Sequence, residues 1–157
     1  MALAALFFAL AFPAGAQVSG GEEFFIAPVI QTALFSTSGP AFGGGLAAGY
    51  GYDDGAMGLR ALYFADTHGL TTLEFCLFLR VYPLPRNNAG FFVQVDAGTA
   101  LFALDGAFTV DAGAGRISAG LSAGWRFPLG TRWYVEPSVR AGYPYIAGAD
   151  VSAGFRF

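Results

Sequence analysis

Ile146-Ala147-Gly148-Ala149-Asp150-Val151-Ser152-Ala153-Gly154-Phe155-Arg156-Phe157 is the stretch on which the fold turns. Small or apolar residues (Ala147, Ala149, Val151, Ala153, Phe155, Phe157) alternate with Gly148, Asp150, Ser152, Gly154 and Arg156. A period of two belongs to a β-strand with two unlike faces. Working back from this end, eight such segments are legible, at roughly 24–36, 41–52, 55–66, 71–83, 90–103, 116–127, 131–143 and 146–157, divided by Gly, Asp, Asn, Pro or Ser clusters. Each has about the length of a tilted membrane strand, roughly 9–11 residues. Asp53-Asp54-Gly55 and Pro128-Leu129-Gly130 read as tight hairpin turns, so neighbouring strands are expected to pair antiparallel in an up-and-down meander.

Alternation is clearest in the sixth and seventh segments. Ile117, Ala119, Leu121, Ala123, Trp125 and Phe127 oppose Arg116, Ser118, Gly120, Ser122, Gly124 and Arg126, and Trp133, Val135, Pro137, Val139, Ala141 and Tyr143 oppose Arg132, Tyr134, Glu136, Ser138, Arg140 and Gly142. The first segment is ambiguous, and Gln31 alone assigns its polar face. A short repeat stands out: Ser122-Ala123-Gly124-Trp125-Arg126-Phe127 closely matches Ser152-Ala153-Gly154-Phe155-Arg156-Phe157. If the first strand starts on the periplasmic side, these aromatics gather at one membrane interface with Trp133 and Phe91, while Tyr63, Phe102, Tyr143 and Tyr145 are expected at the other.

Composition agrees with a membrane barrel. Hydrophobic residues make up 55% of the 157 and aromatics 17%, which is rich for a soluble domain. Yet past the first segment no apolar run is long enough for a membrane helix. All eight basic residues are Arg and the net charge is -3; with no basic stripe or nucleic-acid motif, nucleic-acid partners are not expected. Met1 to Ala16 is apolar and ends Ala14-Gly15-Ala16, so 1–16 reads as a cleaved secretory signal and 17–157 as one barrel domain, although no basic residue precedes the apolar core. The lone Cys76 has no intramolecular disulfide partner.

A soluble barrel of the lipocalin type would turn the apolar face inward. Three features favour the inverse. The polar face is rich in Gly, which suits a crowded eight-stranded interior. The apolar face carries Leu, Val, Phe and Trp with aromatics near strand ends, and Lys, which protects soluble sheet edges, is absent. The interior is then expected to hold a charge network of Arg60, Glu74, Arg80, Asp96, Arg126, Arg132, Glu136, Arg140, Asp150 and Arg156, with Arg116 also inward. Such charges must be paired and hydrogen-bonded. They form either a salt-bridged plug or a narrow channel for small or apolar solutes, and eight strands leave so little room that the plug is favoured.

On strand count, alternation and the terminal Phe157, the chain resembles the small eight-stranded outer-membrane proteins of bacteria, the group of the OmpA membrane domain, OmpX and OmpW. The resemblance covers residues 24 to 157. It implies an outer-membrane location, a lipid environment and a porin-like all-β fold. It also implies recognition by the barrel-assembly machinery through a terminal pattern that Phe155 and Phe157 would carry. The short connections depart from the adhesive members of that group, whose activity lies in long outer loops; Gly106 to Gly115, with Phe108 and Val110, forms most of the longest. Some members act on lipids or peptides, which makes any catalytic group in the chain relevant. His68, beside Asp66 and Thr67, is the only histidine, and Ser36, Thr37 and Ser38 are its candidate hydroxyl partners. Nothing but proximity in sequence supports them, and the glycine run Gly43-Gly44-Gly45 lacks the Lys of a phosphate loop. The expectation is a monomeric, non-enzymatic envelope protein without metal or cofactor.

Overall fold

A computed structural model describes residues 23–35, 39–52, 54–83, 90–104 and 115–157. The expected signal segment, Ser36 to Ser38, and nearly all of the 106–115 connection lie outside the described residues. Eight strands, β1 (Glu23–Phe35), β2 (Gly39–Tyr52), β3 (Gly55–Asp66), β4 (Leu70–Val81), β5 (Gly90–Leu104), β6 (Gly115–Leu129), β7 (Trp133–Tyr143) and β8 (Tyr145–Arg156), pair in sequence order and close β8 onto β1. All pairings are antiparallel. Closure gives every strand two partners and removes the free edges that an apolar layer would not tolerate. Glu23 and Phe157, the first and last described residues, lie at one rim, called here the terminal rim, where the Phe157 amide donates to the Phe24 carbonyl at 2.9 Å.

The two faces separate as the alternation demands. In β1, Phe25, Ala27, Val29 and Gln31 are buried while Phe24, Ile26 and Ile30 are exposed, which bears out the face assigned from Gln31. Leu59, Leu77, Ile117, Leu121 and Val139 are likewise exposed on the outside, whereas Arg, Glu, Asp, Gln and Ser fill the inside. A surface so apolar is matched by lipid rather than water. Outward threonines keep their hydroxyls satisfied by donating across the ladder, Thr32 to the Ala149 carbonyl and Thr99 to the Arg116 carbonyl, both at 3.3 Å.

Aromatic residues mark both rims. At the terminal rim Phe91 and Trp125, Trp133 and Phe155, and Phe155 and Phe157 pack with ring centres 6.3, 4.8 and 5.0 Å apart. At the far rim Tyr63 and Tyr143 are exposed as expected, joined by Phe42. Tyr145 and Phe102 are not. The β1–β8 register shifts at Leu34/Phe35, so that Phe35 faces Tyr145 while Leu34 faces Ala147, and this bulge turns Tyr145 inward. Phe102 packs against the same interior cluster. A second correction concerns the β6–β7 connection: Pro128 and Leu129 remain in β6, and the turn is Gly130-Thr131-Arg132, with Leu129 opposite Trp133. Gly130 takes the positive φ of +79° that this three-residue loop needs.

The inner circumference of eight strands is short, and glycine is what makes it closable. At Gly43 and Gly45 of β2 a Cβ would overlap the carbonyls of Tyr63 and Ala61 on β3, so only glycine permits that approach. Elsewhere the inward glycines sit beneath rings from the neighbouring strand: Gly49 under Phe25, Gly58 under Phe78, Gly124 under Phe92 and Gly154 under Tyr134, each pair in direct register. Each ring covers the backbone that the glycine leaves bare. Gly154→Val is therefore expected to lower stability by about 1–3 kcal/mol, read by denaturant unfolding in detergent micelles. In a Tyr134→Ala background the same change should cost less than half as much.

Candidate functional site: the barrel interior

The interior is a chain of ion pairs running from the far half to the terminal rim. Glu74 on β4 accepts two hydrogen bonds from the Arg140 guanidinium, at 2.8 and 2.9 Å, and a third from Ser118. The buried Cys76 thiol donates to the same carboxylate with Sγ at 3.4 Å. Arg140 Nε lies 3.8 Å from Asp96, an ion contact rather than a hydrogen bond. Asp96 accepts from Gln94 at 2.8 Å and Ser122 at 3.1 Å, and Gln94 in turn accepts from Arg80 at 2.9 and 2.7 Å.

Glu136 on β7 is the hub of the terminal half. It accepts from Arg80 at 2.6 Å, from Arg126, and from Ser152 at 3.2 Å. Arg126 also approaches Glu23 at 4.0 Å, and Glu23 pairs with Arg156 at 3.2 Å. On the other wall Arg60 donates to Gln31 at 2.8 Å and pairs with Asp150 at 3.1 Å. Arg60, Arg80, Arg126, Arg140 and Arg156 thus face Glu23, Glu74, Asp96, Glu136 and Asp150, five of each sign. A neutral interior avoids the cost of an unpaired charge in a medium of low polarity.

Nine of the ten residues expected in this network are there. The tenth, Arg132, is exposed in the Gly130-Thr131-Arg132 turn, because β7 starts two residues later than the segment read from the alternation. Arg116 is also exposed; it lies at the far rim, 3.2 Å from the Tyr143 hydroxyl. Glu23 is the member that sequence reasoning missed. It precedes the alternating run of the first segment, and only the closure of β8 onto β1 brings it to Arg156.

Aromatic rings complete the filling. Val29, Phe35, Leu62, Phe64 and Tyr145 cluster toward the far rim, and Phe25, Phe78 and Tyr134 toward the terminal rim. Guanidinium carbons stack on rings at 4.0 Å for Arg80 over Phe92, 4.0 Å for Arg126 over Tyr134 and 4.1 Å for Arg140 over Tyr145. Between the clusters remains a cavity of about 20 Å³, lined in part by Arg60, Arg80, Glu136 and Asp150. That is room for about one water.

Among the described residues the other candidate chemistry does not converge on a site, and the hydroxyls of Ser36, Thr37 and Ser38 lie outside them. His68 is exposed on the β3–β4 turn with Nδ1 3.4 Å from Thr67 Oγ1. Asp66 Oδ1 accepts from the amides of His68 and Leu70, both at 2.8 Å, and so shapes the turn. Among the described residues no group of three or more His, Cys, Asp or Glu side chains is placed to hold a metal ion. Phe155 is half-buried between Trp133 and Phe157, and Phe157 is exposed.

Removing the hub tests this arrangement. Glu136→Ala leaves Arg80 and Arg126 without their shared carboxylate and is expected to cost about 3–5 kcal/mol in denaturant unfolding, whereas Arg132→Ala should leave the unfolding midpoint where it is.

No family model and no curated protein matches the sequence. Solved structures do match. The N-terminal β-barrel domain of Pseudomonas aeruginosa OprF superposes with a TM-score of 0.60 at 16% identity, over 88% of this chain and 99% of that one. Neisserial surface protein A gives 0.56 at 13% identity, over 86% and 95%. A de novo designed transmembrane barrel, TMB2.3, gives 0.51 at 13% identity over the same shares. At such identities it is the fold that is shared, and with the apolar exterior and closed topology it makes this chain a small eight-stranded transmembrane β-barrel of the kind found in bacterial outer membranes.

Proposed function

We propose that the protein is a monomeric integral protein of the bacterial outer membrane with a structural, envelope-supporting role and a lumen that does not conduct. The observation that carries this reading is the filled interior. Five cations and five anions are engaged with one another, rings crowd both ends, and the cavity beside Arg60 and Glu136 has room for about one water. A passage for solutes would have to break several of these contacts at once, each buried and charge-assisted. The connections that are described are tight turns, which suits a scaffold better than an adhesin.

Export through the 1–16 signal and handover to the barrel-assembly machinery through Phe155 and Phe157 belong to the same proposal. The Phe157 ring supports it, because it is exposed at the terminal rim with Phe155 packed half-buried beside it. The role is non-catalytic: the one histidine lies open to solvent on a turn whose acid is engaged with backbone amides.

Purified protein in planar bilayers decides between scaffold and channel. The expected trace is flat, and steady single-channel steps would overturn the closed-lumen reading. Membrane placement is checked by fractionation and by gel mobility with and without boiling: an outer-membrane band that shifts on heating is expected, and a soluble periplasmic protein without a shift would refute it.

A further inference from the structure

Hairpins β5–β6 and β7–β8 repeat each other beyond the shared hexapeptide. Phe91-Phe92-Val93-Gln94 on β5 corresponds to Trp133-Tyr134-Val135-Glu136 on β7, and the strand that follows each carries Ser-Ala-Gly at 122–124 and 152–154. The registers coincide: Phe92 pairs with Gly124 and Tyr134 with Gly154, then Gln94 with Ser122 and Glu136 with Ser152, then Asp96 with Gly120 and Ser138 with Asp150. Hairpin β1–β2 begins on the same plan, with Phe24-Phe25-Ile26-Ala27 on β1 and Phe25 paired with Gly49. Its next two layers are apolar. Ala27 pairs with Ala47 where Gln94 pairs with Ser122, and Val29 pairs with Gly45 where Asp96 pairs with Gly120.

The arginine on the following strand feels the difference. Ser122 is in register with Arg140 of β7, and Ala47 with Arg60 of β3. Arg140 Nε has the Asp96 carboxylate at 3.8 Å, but Arg60 has Val29 at the corresponding position. Arg60 Nη2 reaches Gln31 at 2.8 Å and Asp150 at 3.1 Å, while its buried Nε makes no hydrogen bond. A buried donor without an acceptor is costly. The cavity of about 20 Å³ lies where the polar layers of the repeat are missing: Ala27, Val29, Ala47 and Arg60 line it together with Ser138 and Asp150. Its size suits one water, and its wall offers the two or more polar partners a buried water takes. Charge is already matched there, Arg60 with Asp150 and Arg80 with Glu136, which favours a neutral ligand over an ion.

We propose that this cavity is a binding site for a single water, which accepts from Arg60 Nε and donates to the wall formed by Ser138 and Asp150, in place of the serine hydroxyl that the first hairpin lacks at Ala47. The water completes the bonding of the guanidinium that ties β1 to β8 from within, since Gln31 and Asp150 are partners in register across that seam. The site needs only the cavity and the arginine, so it stands independently of axial conduction.

A crystal structure of the full chain, at a resolution that shows ordered water, tests the site. One water within about 3.2 Å of Arg60 Nε is expected, and a cavity without density would overturn the proposal. Ala47→Ser tests the replacement. Its hydroxyl should displace the water and leave the folding constant in detergent unchanged or raised by up to about fivefold, the worth of about one hydrogen bond. A lowered constant, or a water that stays on Arg60 beside the new hydroxyl, would refute the exchange of water for serine. Ala47→Val adds bulk without an acceptor and should lower the folding constant at least about fivefold; an unchanged or raised constant would mark a dry, apolar cavity and overturn the site. If Ala47→Ser shows no heat-dependent gel shift, Ala27→Ser, on its partner in register, carries the same expectations.

Discussion

Everything in this molecule follows from closing a sheet of only eight strands. Backbone N–H and C=O groups in an apolar layer must find each other, which forces closure, and closure at this strand number leaves an interior barely wide enough for side chains. Inward positions consequently split into two kinds. Some must be glycine, because the neighbouring backbone or a ring already occupies the place of a Cβ, as at Gly45 and Gly154. The others carry side chains that fill the lumen, rings such as Phe25 and Phe64 and long polar ones that reach partners three strands away, as Arg80 does to Glu136 and Arg140 to Glu74.

The interior uses arginine throughout, and the geometry explains the choice. A guanidinium offers several donors in a plane and stacks on rings. Arg80 exploits both properties, donating to Gln94, Tyr82 and Glu136 while lying over Phe92. A lysine there would deliver one point charge and lose the stacking. Buried ion pairs add little net stability over apolar packing of the same shape, yet breaking one is expensive. Such a network therefore serves to specify one arrangement of the eight strands more than to strengthen it.

Much of this was legible in the sequence because a β-strand of period two announces its faces directly. Alternation placed Arg60, Glu74, Arg80, Asp96, Arg126, Glu136, Arg140, Asp150 and Arg156 inside, and Gln31 alone settled β1. The misplacements have a common cause: alternation carries no information about where a strand begins or slips. Parity extended backward through a turn places Arg132 inside, and parity extended through a bulge places Tyr145 outside. Glu23 lay just before the alternating run, and its partner Arg156 is at the other end of the chain.

The repeated hexapeptide acquires a meaning in three dimensions. In each copy the serine hydrogen-bonds an acid on the preceding strand, Ser122 to Asp96 and Ser152 to Glu136. The glycine accepts a ring from that same strand, and the arginine reaches an acid on the following one, Arg126 to Glu136 and Arg156 to Glu23. The motif is thus a coupling between adjacent hairpins, with one set of contacts facing backward and one facing forward around the wall. Two of the four seams between hairpins, β6–β7 and β8–β1, are coupled in this way, so one short motif, used twice, ties three hairpins together around the wall.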